Sequence, residues 1–189
     1  SIFKAGGESP MFLMYEADRE PRHALRFPSD RTLETGYMIL QEISPKYAGY
    51  WSQAMVPVSL GKPKQIYLDL CAAAVESYNV ALSVMRPGIS CREASKAVNV
   101  PIIKAGYMWL RSQWQGVGLE QIEGPSESHS GATANLDDSI VLQEGMVVGL
   151  QPMAGTKDGR YGVQIGDTVV VTPNGARRLG KSEMKFHVV

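Results

Sequence analysis

Cysteine is nearly absent: the 189 residues contain only Cys71 and Cys91. They form no Cys-x-x-Cys pair and are too few for the disulfide framework of a small secreted domain. A reduced, cytoplasmic protein is therefore expected. Histidine is also scarce, with three copies, and 19 Lys+Arg stand against 19 Asp+Glu. No clustered basic excess is available for phosphates, so no nucleic-acid partner is expected. No apolar run reaches the about 18 residues of a membrane span, and no signal-type apolar stretch opens the chain, so no membrane partner is expected. No internal repeat or low-complexity segment stands out.

What is present is an ordinary globular composition, 44% hydrophobic and 20% charged, which suits one domain over residues 1–189 with a substantial core. Residues 36–43 and 47–60 read as two strands around a turn at Ser44-Pro45-Lys46, rich in aromatic and β-branched side chains. A helix is expected over about 64–85, with Leu68, Cys71, Val75, Tyr78 and Leu82 on its inner face. Cys71 is then a small core residue. Pro87-Gly88 ends that helix. Ser90 and Glu93 form a capping box that starts a second one, with Ala94, Val98 and Ile102 inward. Pro101 should kink or interrupt it and Gly106 should stop it. Cys91 falls in its first turn, where the helix dipole can lower a thiol pKa. With no partner base nearby in sequence, Cys91 is read as structural.

A glycine-rich stretch at 114–125 and a polar loop through 126–138 follow, then strand segments at about 145–153 and 161–171. The last alternates Val163, Ile165, Asp167, Val169 and Val171 against Gln164, Gly166, Thr168 and Val170. A strand pair, a helix pair and further strands make an α+β fold, and short connections make its sheet largely antiparallel. Gly116-Val117-Gly118 alone lacks the spacing of a dinucleotide fingerprint.

In context, those glycines are more informative. Trp114-Gln115-Gly116-Val117-Gly118-Leu119-Glu120-Gln121-Ile122-Glu123-Gly124-Pro125-Ser126 resembles the Gly-His-Gly-Ile-Gly-Leu-Glu-x-His-Glu-Gly-Pro-Ser segment of Xaa-Pro aminopeptidases and prolidases. These belong to the pita-bread superfamily, with methionine aminopeptidases and creatinase. Leu33 to Gly36, Gly49 to Gln53 and Gly61 to Pro63 resemble its paired-aspartate hairpin. Glu144 to Pro152 resembles its Pro-Gly-Met-Val…Glu-Pro segment, and Tyr161 to Thr172 its closing Gly-Val-Arg-Ile-Glu-Asp-Thr strand. The resemblance implies a pita-bread fold: a curved, largely antiparallel sheet with helices on its outer face.

Active members of that family hold two metal ions with two aspartates, one histidine and two glutamates. Carried over along the matching motifs, these positions fall at Glu42, Gln53, Gln115, Gln151 and Gly166. One carboxylate remains, and neutral amides do not offset the charge of hard divalent ions. The family's second histidine falls at Ile122. The resemblance thus implies a peptidase-like domain that has lost its dinuclear metal site, with no metal and no cofactor. Glu42, Gln53, Gln115 and Gln151 should converge on a polar cavity that takes a small molecule or peptide.

His23, in Ala17 to Ala24 ahead of Pro28, resembles the active-site histidine preceding the aspartate hairpin. In metal-free creatinase the corresponding residue resembles a general acid/base, so a C–N hydrolase using His23 is the alternative. Glu123 keeps the glutamate of the His-Glu pair, as a catalytic candidate or a backbone cap. His129 and His187 match no active-site position. A working Xaa-Pro aminopeptidase or dipeptidase is the second alternative, the one least compatible with the ligand losses. Whether the chain is an enzyme stays open at this point. The fold it resembles has two helix pairs and only the second is recognisable, so the chain is expected to be the C-terminal part of a longer one, with the first pair preceding Ser1. Family members are often dimeric, so a homodimer covering the exposed face is expected.

Overall fold

The computed structural model describes residues 2–21, 29–110, 113–126 and 139–189. After a single 3-10 turn at Phe3–Ala5, β1 (Glu8–Asp18) pairs antiparallel with β2 (Met38–Tyr47). β1, eleven residues long, is a strand that no expectation from the sequence includes. One of its faces is covered, with Met14 and Glu16 buried, while Leu13 and Tyr15 are about half exposed.

The expected turn at Ser44-Pro45-Lys46 is a correction: β2 runs straight through it, with Ser44 buried and paired to Phe12. Pro45 is tolerated because it lies where the β1–β2 register shifts, so its missing N–H interrupts no ladder bond. The chain reverses at Ala48 and Gly49 instead, where φ is +48° and +82°. Two successive positive φ values make the tight turn whose twist matches the flanking strands. Tyr47 and Tyr50 pair across it, opening β3 (Tyr50–Trp51). The expected second strand is in pieces: β3, β4 (Ala54–Met55) and β5 (Val58–Ser59).

α1 (Gln65–Val84) and α2 (Cys91–Lys104) pack on each other, and α1 also lies against the strands that follow α2. The face of α1 that is fully covered carries Tyr67, Leu70, Cys71, Ala74, Ser77, Tyr78 and Ala81, whereas Leu68, Val75 and Leu82 sit at its margin. The expected stripe is thus displaced around the helix. Small Ala and Ser at 74, 77 and 81 allow α2 close enough for Ser77 to donate to the Val98 carbonyl. α2 follows its expected pattern: both halves of the Ser90–Glu93 box form, Ala94, Val98 and Ile102 are buried, and Gly106 at φ +85° follows the Ala105 cap. Pro101 does not interrupt it, because the helix is continuous to Lys104. Both cysteines are buried thiols. Desolvation pushes Cys71 up to about 11 and also raises Cys91, so burial outweighs the helix-dipole effect expected at Cys91.

The remaining strands are β6 (Met108–Trp109), β7 (Trp114–Gly116), β8 (Glu123–Ser126), β9 (Val147–Leu150), β10 (Met153–Gly155), β11 (Gly162–Gln164), β12 (Gly166–Thr172), β13 (Gly175–Arg178) and β14 (His187–Val188). Among the described residues they form, with β1–β5, an eleven-stranded sheet whose main path is β14-β5-β2-β4-β12-β9-β7-β8, and a three-stranded sheet β11-β10-β6. Every pairing is antiparallel except β14 with β5. Val163, Ile165, Val169 and Val171 alternate into one core with Trp114, Val148 and Leu150, beneath the two helices. This is an α+β fold. No helix among the described residues is long and apolar enough to cross a membrane.

A charged cluster ties the end of β1 to the start of α1 and to the turn before β11. Glu20 accepts from Lys64, from Arg160 Nη2 at 3.0 Å and from the Tyr161 hydroxyl at 3.4 Å. These partners, Lys64 first, hold its carboxyl at about 2, below the ordinary 4.5. A lowered folded-state pKa stabilises the fold above the unfolded value, so this contribution should be lost as pH falls from about 4.5 towards 2. Glu20→Gln should therefore flatten the acid limb of a Tm-against-pH curve in that window, and high salt should shrink the difference. An unchanged acid limb would show the cluster contributes nothing to stability.

Candidate functional site

Register decides which side chains leave the core. Trp114 opposes Leu150, and Asp167 opposes Leu150 from the other flank; Gln115 and Thr168 both oppose Gly149. Opposed residues on antiparallel strands share a face. Trp114 and Leu150 point to the helices, so Gln115, Gly149 and Thr168 point away. Ser95 of α2 fixes this sense by accepting the Trp114 indole N–H at 2.9 Å. One step along the strands, Glu42 opposes Met55, Met55 opposes Gly166, and Gln151 continues the ladder by donating its N–H to the Gln113 carbonyl at 2.8 Å. Glu42, Met55, Gly166 and Gln151 therefore lie on that same outward face.

The predicted group converges there as two linked pairs. Gln53 Nε2 donates to Glu42 Oε1 at 3.3 Å, and the Ser44 hydroxyl donates to the same oxygen at 3.2 Å. Gln53 is anchored through its backbone: Thr168 Oγ1 accepts its N–H at 2.7 Å and donates to its carbonyl at 3.1 Å. Gln151 Nε2 donates to Gln115 Oε1 at 3.5 Å, and Gln115 Nε2 to the Gln121 carbonyl at 3.4 Å. Gln164, a residue the sequence reading left out of the site, joins by donating Nε2 to Gln151 Oε1 at 3.4 Å. Gln53, Gln115, Gln151 and Gln164 are all buried.

Two glycines shape the strip. A Cβ at Gly149 would stand 1.9 Å from Gln53 Oε1, so the missing side chain is what gives the Gln53 amide room. A Cβ at Gly166 would stand 2.4 Å from the Leu150 carbonyl oxygen and 2.9 Å from both Gln151 Cα and Met55 Sδ. Backbone atoms make two of those contacts, and they cannot yield as a flexible side chain can.

Residues 9–173 match the model of metallopeptidase family M24. The chain belongs to family M24. The Xaa-Pro dipeptidase of Pyrococcus furiosus is 31% identical over 165 residues, covering 84% of this chain and 44% of that protein. The fold matches the X-Pro aminopeptidase of Thermotoga maritima with a TM-score of 0.85 at 23% identity, over 99% of this chain and 51% of that one. It also matches the dipeptidase PepE of Mycobacterium ulcerans with a TM-score of 0.84 at 26% identity, over 98% of this chain and 49% of that one. A methionine aminopeptidase from Rickettsia prowazekii shares the fold at a TM-score of 0.72. The architecture is thus the pita-bread one, and the chain spans about half the length of the Xaa-Pro relatives it matches.

The other M24 positions are placed as follows. Glu123 accepts the Glu120 N–H at 2.7 Å through Oε1, a cap on the loop that joins β7 to β8, and its carboxylate lies over Gly118. Ile122 is exposed. His23 lies outside the described residues, as do His129 and the polar loop beyond Ser126. His187 sits on β14 against the Glu183 carbonyl at 3.3 Å, away from the strip. A cavity of about 680 Å³ is lined by Ile43, Trp51, Ala54, Met146 and Leu179 among others; Gln53 and Glu123 border it, while Glu42, Gln115 and Gln151 do not. Gly166→Ala should cost about 1–3 kcal/mol through overpacking and lower Tm by about 2–4 °C per kcal/mol in a differential scanning calorimetry experiment. An unchanged Tm would mean that β9 and β12 separate freely at this point.

Proposed function

We propose that this M24 domain does not act as a dinuclear metallopeptidase and that its amide strip instead holds a small ligand or peptide. One observation carries this reading: at the five ligand positions of the family stand one carboxylate, three amides and a glycine against which no Cβ fits. Two divalent ions need several anionic oxygens and an imidazole to repay dehydration. Gln53 offers its N–H₂ to Glu42, so a donor faces the one carboxylate where a second anionic ligand would stand. Among the described residues no group of three or more His, Cys, Asp or Glu could hold a metal ion. The residues therefore do not fit the metal pair.

What the strip does offer is a set of buried amides on a rigid sheet, the arrangement that reads the polar groups of a ligand. The names of the relatives, Xaa-Pro dipeptidase and X-Pro aminopeptidase, support a peptide-sized ligand as the ancestral one. Titration calorimetry of the metal-stripped protein with manganese, beside a metal-binding M24 relative as control, tests the reading. No heat of binding up to millimolar manganese, and no cleavage of an Xaa-Pro dipeptide in its presence, are the expected results. Tight uptake of about two ions per chain would overturn it.

A further inference from the structure

The amides of the strip have a direction, and it is set from one end. The Gln121 carbonyl can only accept, so Gln115 must turn Nε2 towards it, at 3.4 Å. Gln115 then shows Oε1 to Gln151, which answers with Nε2 at 3.5 Å. Gln151 in turn shows Oε1 to Gln164, which answers with Nε2 at 3.4 Å. Each step consumes a donor, and the row ends in Gln164 Oε1, a buried atom with no hydrogen-bond partner on a residue 5% exposed. A second, shorter row starts on the Glu42 carboxylate, also acceptor-only, and consumes Gln53 Nε2. It ends in Gln53 Oε1, again buried and without a partner, on a residue 2% exposed.

Both rows therefore leave an acceptor over, for the same reason: each begins on a group that cannot donate. The two leftover oxygens belong to one strip. Gln53 Oε1 lies against Gly149 of β9, and Gln164 bonds Gln151, the first residue after that strand. A buried amide oxygen without a donor is disfavoured, so the strip is built for something that brings N–H groups.

We propose that the strip binds a compact organic cation, an alkylammonium or guanidinium group, through its N–H donors, with Gln53 Oε1 and Gln164 Oε1 as acceptors and Glu42 supplying opposite charge. The proposal rests on the metal-free reading of the site. A carboxylate or phosphate ligand would meet oxygens where it needs donors. A quaternary ammonium has the charge without the N–H groups. Gln164 thereby becomes a binding residue of the site.

Titration of the intact, metal-stripped protein with n-propylammonium and methylguanidinium chloride tests this, beside tetramethylammonium chloride, potassium chloride and sodium propionate at equal ionic strength. The two N–H cations should bind at least tenfold more tightly than the other three. Gln53→Leu and Gln164→Leu should each weaken them at least tenfold, and Gln164→Glu should tighten them. The wild-type protein supplies a readout that needs no variant: the side-chain amide NMR signals of Gln53 and Gln164 should shift on titration, while that of Gln65, bonded to Asp69, should not. Equal binding of tetramethylammonium or potassium would reduce the effect to charge and overturn the proposal. So would preference for propionate, or no binding and no amide shift, which would leave water as the only donor there. Manganese uptake in the separate titration overturns the metal-free reading itself; amine failure without manganese uptake overturns this proposal alone.

Discussion

The register between β9 and β12 is the constraint on which both faces of the sheet depend. With Asp167 opposite Leu150 and Thr168 opposite Gly149, Val169 and Val171 join the helices' core, while Gly166 and Thr168 face the amides. A slip of one residue would exchange the two sets, putting glutamines under α1 and valines in the strip. The slip is opposed at several points at once. Trp114 is held by Ser95 through its indole N–H, Thr168 grips both backbone groups of Gln53, and Asp167 is held by Arg178 at 2.9 Å on the core side. The site is therefore not an addition to the fold. It is the other side of the same pairing that buries the core.

Features with a local cause were legible in the sequence. The Ser90–Glu93 box and the glycine after α2 each depend on residues within a few positions, and each forms. Val163, Ile165, Val169 and Val171 do turn inward, but the strands expected at 145–153 and 161–171 each divide, into β9 and β10 and into β11 and β12, whose halves lie in different sheets. The pleat places Val163, Val169 and Val171 inward and Val170 on the other face, whatever lies beyond them. Features with a distant cause were not legible. The β2 turn hid because Ser-Pro-Lys has better turn chemistry than Ala48-Gly49; only the pairing of Ser44 with Phe12 shows that the strand must continue. β1 hid because one face carries Leu13 and Tyr15 while Glu16 is buried opposite, a mixture with no clean alternation. The face of α1 is set by how closely α2 approaches, which favours Ala74, Ser77 and Ala81 over the larger Leu68 and Leu82.

The candidate site divides in the same way. Motif spacing was enough to bring Glu42, Gln53, Gln115 and Gln151 to one surface, since each motif rides on a strand whose neighbours are fixed. It could not reveal Gln164, whose place in the amide row depends on which way Gln151 turns. Nor could it reveal that Gly149 and Gln53 are a matched pair, the one lacking a side chain where the other's amide lies. Glu123 was recognisable as a carboxylate beside glycines; its use as a cap on the Glu120 amide needed the loop's path. Its closeness to Gly118 explains why that loop carries glycine there.

Gly166 gives a direction to the changes the site can accept. At Gln53, Gln115 and Gln151 an altered base or two in the gene would put an acidic or imidazole side chain where a side chain already stands, and Glu42 has its carboxylate. At 166 the space that a returning side chain needs is taken by the Leu150 carbonyl and the Gln151 backbone of the neighbouring strand. Any side chain at 166 would first require a movement of strands. The closure of β12 onto β9 thus works as a ratchet: exchanges among the amides meet far less resistance from the backbone than any side chain added at 166.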